Sequence, residues 1–212
     1  MTGNRHGWWI GILVFGIMVY ILLNTLSTEG PGSQGPRAGK ILPDFAMPLV
    51  ESSLDGDANL ATEDNLGDAG PVPACEVDGP VLNVCDLREG APIVLGFFFT
   101  RGSECTGSFD AMQRLQARTP GVRFAGVIVR GDRDEAREIV REHGWTFPIG
   151  FDRDGAVANV YGIAGCPLAV LAYPGGEVKA TVAGRDRAER ELERHVDVLV
   201  AASRERGWRP AP

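Results

Sequence analysis

Residues 92–105 read PIVLGFFFTRGSEC, and this stretch decides the fold. Its first nine residues form a continuous apolar run, which is typical of a central strand buried on both faces of a sheet. The residues from 104 to 118 then predict a helix, because apolar side chains fall on one side at Phe109, Met112 and Leu115. The stretch therefore predicts a buried strand and a helix, with Cys105 near their junction.

The chain downstream of this stretch continues the alternation of strand and helix. An apolar strand is predicted at 122–129, and a helix begins at Asp132, with Glu135 three residues later, and ends at Gly144. Two further strands at 168–173 and 177–183 are joined by Pro174-Gly175-Gly176, which predicts an antiparallel hairpin. A last amphipathic helix is predicted at 186–206. This order is typical of an α/β domain built around one sheet.

Residues 8–26 (WWIGILVFGIMVYILLNTL) carry no charge and would span about 28 Å as a helix, close to the thickness of the bilayer core. We interpret them as a transmembrane signal-anchor. Arg5 precedes the run and the next basic residue is Arg37, so residues 1–7 are predicted in the cytoplasm and the domain outside it, on the cell membrane. A cleaved signal peptide is the alternative, although the run is long for one and no A-x-A-like site follows.

The remaining segments differ from the domain in composition. Residues 27–40 are rich in Gly, Ser and Pro and predict a flexible linker. Residues 51–78 contain eight acidic residues and no Lys or Arg, which predicts a solvated insertion in a domain spanning 41–206. Residues 207–212 are predicted to be a C-terminal tail. The net charge of −7, without a basic cluster, argues against a nucleic-acid partner.

Several short motifs, in order, resemble the redoxins, the TlpA/ResA-like and AhpC/TSA-like branches of the thioredoxin superfamily. The resemblance implies a thioredoxin-like fold, a mixed central sheet flanked by helices, with a cis-proline at Pro167. The motifs are LPDFAMP at 42–48, DLREG at 86–90 followed by PIVL at 92–95, Phe147-Pro148, Asp152 to Gly155, Tyr161-Gly162-Ile163 and Pro167.

The resemblance also locates a site. Thiol-disulfide oxidoreductases of this family carry W-C-x-x-C after the central strand, and here Gly102 stands at the first cysteine and Cys105 at the second. The motif is thus a degenerate CxxC. A helix start stabilises a thiolate at Cys105, and Arg101 adds positive charge. In peroxiredoxins the T-x-x-C cysteine matches Cys105, but Gly102 replaces the threonine.

Two further assignments concern the other cysteines. Cys166 precedes Pro167 and, in the implied fold, faces Cys105, which suggests a non-sequential redox pair in which Cys105 attacks and Cys166 resolves. Cys75 and Cys85 flank a turn candidate, and we favour a structural disulfide between them, although four cysteines permit three connectivities. No histidine shares a ligand-like spacing with a cysteine, so neither a metal nor another cofactor is expected.

Three functions follow. The first is a membrane-anchored, extracytoplasmic thiol-disulfide oxidoreductase acting on protein or small-molecule thiols and disulfides. The second is a thiol peroxidase in which Cys105 reacts with peroxide. The third is a non-catalytic binding module that retains the fold, since fold alone does not specify function.

Overall fold

The computed structural model of the chain describes residues 12–20, 35–100, 105–165, 168–183 and 188–210. It separates into two units, Met1–Gly32 and Ser33–Pro212. In the first unit residues 12–20 are helical with exposed side chains, and the rest of the predicted span at 8–26 lies outside the described residues. Within the described parts of the chain, no helix combines the length and apolar character needed to cross a membrane.

The second unit is an α/β domain with a five-stranded sheet and a separate two-stranded sheet. Its strands are β1 (Ala46–Pro48), β2 (Val81–Asn83), β3 (Ile93–Phe99), β4 (Arg123–Val129), β5 (Ile149–Asp152), β6 (Leu168–Ala172) and β7 (Val178–Ala183). Its helices are α1 (Val84–Arg88), α2 (Thr106–Arg118), α3 (Arg133–His143), α4 (Ala156–Val160) and α5 (Ala188–Glu205), with a 3-10 turn at Ala74–Glu76.

The central strand of the large sheet is β3, as the apolar run predicts. The strand order is β5-β4-β3-β6-β7, in which β3 pairs parallel with β4 and antiparallel with β6, and β6 and β7 form the predicted antiparallel hairpin. Both faces of β3 are buried. Val94 and Phe98 lie in one apolar cluster with α2 and α5, while Leu95 and Phe97 lie in the other with β1 and α4.

Helix α2 is seated on the sheet through Phe109, which lies over two paired glycines. Gly96 of β3 and Gly126 of β4 are register partners. A Cβ added at Gly96 would lie 3.0 Å from the Phe109 ring, and one added at Gly126 would lie 2.5 Å from it. The missing side chains therefore create the space for this ring. Because Phe109 lies one turn beyond the start of α2, this seat also fixes the position of Cys105 at the end of the sheet.

Helix α3 has the ends that the sequence predicts. The Asp132 carboxylate accepts hydrogen bonds from the amides of Asp134, at 2.9 Å, and Glu135, at 3.0 Å. Gly144 ends the helix with φ of 65°, in the left-handed region that glycine adopts without strain. Both termini therefore satisfy backbone groups that a helix leaves unpaired.

The acidic insertion, residues 51–78, lies on the surface and is attached to the domain by arginines. All eight acidic side chains are exposed, while Ala61 and Ala74 are fully buried. Arg133 and Arg137 of α3 donate hydrogen bonds to backbone carbonyls at its start, and Arg153 pairs with Asp57 at 2.8 Å. The segment therefore exposes its acidic side chains while its start is held against α3 and Asp57 is paired with Arg153.

The two ends of the domain differ from the prediction. Residues 35–40, predicted as linker, run beside β7: the Gly39 amide donates to the Val178 carbonyl at 2.7 Å, and the Val178 amide donates to the Lys40 carbonyl at 2.7 Å. Trp208, predicted as part of a tail, is only 9% exposed and packs in the cluster that contains α5. Ordered structure therefore extends before residue 41 through backbone hydrogen bonds to β7, and past residue 206 through the packing of Trp208.

Candidate functional site

Cys105 lies at the point where the chain leaves β3 and enters α2. It is the N-cap residue of α2, and its side chain makes no capping hydrogen bond. The first turn of α2 contains no acidic residue, so the partial positive charge of the helix N-terminus faces Cys105 without a competing carboxylate from that turn. Such a position favours the thiolate form of a cysteine.

The side chain of Cys105 is buried, at 3% exposure, in the cluster that contains Phe98 and Phe109. It is also disulfide-bonded. The other residues assigned to this site, Arg101, Gly102, Cys166 and Pro167, lie outside the described residues, as does the proposed cis-peptide bond.

An aromatic and polar group beside α2 was not found from the sequence. Trp145 contacts Phe109 with ring centroids 4.9 Å apart, and its indole N–H donates to the Asp110 carboxylate at 2.7 Å. His143 is partly buried: it stacks on Trp145, with Nδ1 3.0 Å from the same Asp110 oxygen. The one indication in the sequence is that a tryptophan, Trp145, directly follows Gly144 at the end of a predicted helix.

Cys75 and Cys85 are bonded to each other, which is the pairing favoured from the sequence, with a Cα–Cα distance of 5.4 Å. The bond joins the 3-10 turn at the end of the acidic insertion to α1. Asn83, 3% exposed, supports the same junction: its Oδ1 accepts from the Cys85 amide at 2.9 Å, and its Nδ2 donates to the Ala74 carbonyl at 2.9 Å.

Arg88 lies against this disulfide and was also missed. Its Nη2 is 2.9 Å from Cys85 Sγ, 3.6 Å from Cys75 Sγ and 2.5 Å from Asp44 Oδ1. Ligand atoms of Asp44, Cys75 and Cys85 lie close enough together to suggest a metal site in a reduced protein. The Arg88 guanidinium, however, already hydrogen-bonds to all three of these side chains, and its positive charge opposes a cation there.

Two of the family-like motifs have structural roles in this domain. Asp152, fully buried, accepts hydrogen bonds from the amides of Val157 and Ala158 at the start of α4, and burial raises the pKa of its carboxyl group. Tyr161 is buried against Phe45 and Phe97, and its hydroxyl donates to the Pro43 carbonyl at 2.9 Å. These motifs therefore contribute to the packing of the domain: Tyr161 lies in the apolar cluster on the other face of β3 from the cluster that contains Cys105.

Comparison with solved structures identifies the fold. A thiol:disulfide interchange protein of the thioredoxin family from Chlorobium tepidum superposes with a TM-score of 0.54 at 19% identity, over 77% of this chain and 97% of that protein. The domain has a thioredoxin-like fold. A secreted Mycobacterium tuberculosis disulfide oxidoreductase homologous to E. coli DsbE gives a TM-score of 0.51 at 24% identity, over 57% of this chain and 90% of that protein.

Sequence comparison finds relatives that are also named as thiol-disulfide exchange proteins. The chain is 31% identical to the thiol-disulfide oxidoreductase ResA of Oceanobacillus iheyensis over 111 residues, which are 51% of this chain and 57% of that protein. It is 25% identical to the thiol:disulfide interchange protein DsbE of Yersinia pestis over 146 residues, 66% of this chain and 76% of that protein. No protein-family model matches the sequence. The chain thus spans little more than half of the ResA protein.

Proposed function

We propose that this protein is a thiol-disulfide oxidoreductase whose redox centre is a disulfide between Cys105 and Cys166. The observation that carries the proposal is the oxidised state of Cys105 at the N-terminus of α2. Of the four cysteines in the chain, Cys75 and Cys85 are bonded to each other, so Cys166 is the remaining intramolecular candidate. The relatives named ResA and DsbE support the same chemistry.

The burial of Cys105 changes the roles expected from the sequence. A sulfur that attacks a substrate disulfide, or that a substrate thiolate attacks, must be accessible from solvent, and Cys105 is 3% exposed. We therefore assign the contact with substrate to Cys166. A Cys166 thiolate attacks a substrate disulfide and releases one substrate thiolate. Cys105 then attacks Cys166 Sγ, closes the internal disulfide and releases the second substrate thiol, so that the substrate gains the two electrons that the cysteine pair loses.

In the reverse direction the position of Cys105 has a second consequence. A substrate thiolate that attacks Cys166 displaces Cys105 as a thiolate, and the N-terminus of α2 lowers the free energy of that leaving group. Leaving groups of lower basicity depart faster, so the helix accelerates opening of the disulfide. The exchange can therefore proceed although Gly102 replaces the first cysteine of the motif, because it needs two cysteines but does not need both of them in one CxxC motif.

We also propose that residues 8–26 anchor the protein in the cell membrane, with the domain outside the cytoplasm. The absence of charge over this run and the helical conformation of residues 12–20 support the anchor. Two disulfide-bonded sites support the location, since disulfides persist in oxidising compartments. The proposed anchor and the redox domain would then belong to the two separate units of the chain, Met1–Gly32 and Ser33–Pro212.

The activity is tested with the reduced full-length protein in a single-turnover reduction of a disulfide-bonded peptide. The reference is a Cys75→Ser/Cys85→Ser chain, so that only the proposed pair remains. In that chain, replacing either Cys105 or Cys166 by serine is expected to lower the rate by about 100-fold or more, because the two-step exchange cannot be completed. The proposal is contradicted if the four-cysteine chain keeps its activity after Cys105→Ser while the reference chain, which lacks Cys75 and Cys85, has none. A peroxide-dependent sulfenic acid at Cys105 would assign the peroxidase function instead.

A further inference from the structure

The disulfide between Cys75 and Cys85 has two sulfurs in different environments. Cys75 is exposed, whereas Cys85 is half-buried in α1. The Arg88 guanidinium lies closer to Cys85, with Nη2 2.9 Å from its Sγ and 3.6 Å from Cys75 Sγ. An incoming thiolate therefore reaches Cys75 more readily, and negative charge that develops on Cys85 is next to a cation.

Arg88 is held in place from three sides. Its Nη1 donates to the Leu42 carbonyl at 3.2 Å, and its Nη2 pairs with Asp44. Its aliphatic stem lies against Gly176, where an added Cβ would come within 2.2 Å of the Arg88 Cδ atom. Its side chain is only 16% exposed. The positive charge is thus positioned before any thiolate forms, which reduces the reorganisation that charge stabilisation requires.

The two cysteines are also held together by contacts that do not depend on the sulfur–sulfur bond. On one side of the junction, Asn83 Nδ2 donates hydrogen bonds to the Ala74 and Val77 carbonyls. On the other side, Asn83 Oδ1 accepts a hydrogen bond from the Cys85 amide. The Ala74 amide donates to the Ala61 carbonyl at 2.7 Å. These hydrogen bonds would keep the thiols near each other after reduction, so the disulfide could form again in place.

We propose that Cys75 and Cys85 form a second thiol-exchange site, in which a thiol donor opens the disulfide at Cys75 and Arg88 stabilises the departing Cys85 thiolate. The donor thiolate bonds to Cys75 Sγ while the Cys75–Cys85 bond breaks and its electron pair goes to Cys85. A second donor thiolate then releases Cys75. The net result is two protein thiols and one donor disulfide, a transfer of two electrons from the donor to the protein.

This site is independent of the proposed Cys105–Cys166 centre. Arg88 lies at the end of the sheet where β3 begins, because its carbonyl accepts from Gly175 in the turn between β6 and β7. Cys105 lies beyond the other end of β3. Seven residues of strand place the two ends about 20 Å apart, so direct exchange between the two sites within one domain is excluded.

Charge near the exposed sulfur indicates which donors the site prefers. Glu76 and Asp78, one and three positions after Cys75 in the chain, are exposed, and Asp44 offsets the charge of Arg88. A neutral or positively charged thiol approaches this surface more easily than an anionic one, and salt reduces the difference. We therefore infer a donor whose thiol lies in a neutral or basic environment.

The test uses the full-length Cys105→Ser/Cys166→Ser chain in detergent, in which only Cys75 and Cys85 can react, so its outcome does not depend on the proposed function. Dithiothreitol, cysteamine and 2-mercaptoethanesulfonate are the donors, and alkylation with intact-mass detection follows reduction. The rate of reduction is expected to be proportional to donor concentration. Expressed per donor thiolate, the rate with cysteamine is expected to exceed the rate with 2-mercaptoethanesulfonate by about 3-fold or more at low salt. A rate that does not depend on donor concentration, and so is limited by unfolding, overturns the proposal.

Two variants of one ion pair separate stabilisation of the thiolate from a loss of local structure. Arg88→Gln is expected to slow reduction by dithiothreitol by roughly 3- to 10-fold, because the leaving thiolate loses its cation. Asp44→Asn is expected to accelerate it, because Arg88 keeps its place beside Cys85 without a competing carboxylate. If loosening were the cause, both variants would accelerate reduction, and that result overturns the proposal. Should the double-cysteine background fail to fold, peptide mapping of Cys75 and Cys85 in the four-cysteine chain gives the same rates.

Discussion

A Cys105→Ser variant is expected to accumulate a mixed disulfide between Cys166 and its substrate. The buried Cys105 resolves that adduct in the proposed cycle, so its removal stops the reaction after the first exchange. The adduct is measured by incubating the reduced variant with a disulfide-bonded peptide, blocking free thiols and mapping the linked peptides by mass spectrometry. The trapped species should exceed that in the wild-type chain by about 10-fold or more.

The matched control is Cys166→Ser, which retains Cys105 in the same position. Because Cys105 is 3% exposed, this variant is expected to form little adduct. The opposite pattern, with the adduct on Cys105 in Cys166→Ser, would restore the roles that the sequence alone suggests. Equal trapping in both variants would contradict a division into an accessible and a resolving cysteine.

A second large effect is expected at Phe109, whose ring fills the space above the paired glycines. Phe109→Ala should lower the free energy of unfolding by about 3–5 kcal/mol, since it removes a fully buried ring and leaves a cavity. Urea denaturation of the full-length protein, followed by circular dichroism, measures the change. A loss below about 1 kcal/mol would contradict the role assigned to this ring.

The contact with Gly126 provides the control for that prediction. Gly126→Ala should cost about 1–3 kcal/mol alone, because its Cβ would overlap the Phe109 ring. In a Phe109→Leu background the same substitution should cost less than about half as much, since the smaller side chain can yield. Additive losses would show that the glycine and the ring do not compete for the same space. Gly107→Ala, which meets no atom within 4 Å, should show no such cost.

The sequence predicts the elements whose signals are local. The apolar run of β3, the Asp132 cap of α3 and the glycine turn before β7 each depend on residues adjacent in the chain, and each is present. The thioredoxin-like fold was expected from the resemblance of several short motifs to the redoxins, and the strand order β5-β4-β3-β6-β7 is seen only in the structure. The pairing of Cys75 with Cys85 was favoured because the two cysteines flank a turn candidate, and the structure confirms it.

The features that were missed depend on contacts between distant residues. Arg88 pairs with Asp44 across 44 positions, and Asp110 meets His143 across 33, so no local pattern could indicate either contact. The core position of Trp208 was missed for the same reason, because burial of a terminal aromatic depends on the tertiary surface it covers. The burial of Cys105 likewise reflects the packing of α2 on the sheet and not the spacing of the motif.

Disulfide mapping of the unreduced full-length protein tests whether Cys105 and Cys166 form a redox centre. Free thiols are blocked at acidic pH, the chain is digested without reduction, and linked peptides are identified by mass. Two linked species are expected, Cys105 with Cys166 and Cys75 with Cys85. A link from Cys105 to Cys75 or Cys85, or a Cys166 that is fully alkylated before reduction, would contradict this expectation.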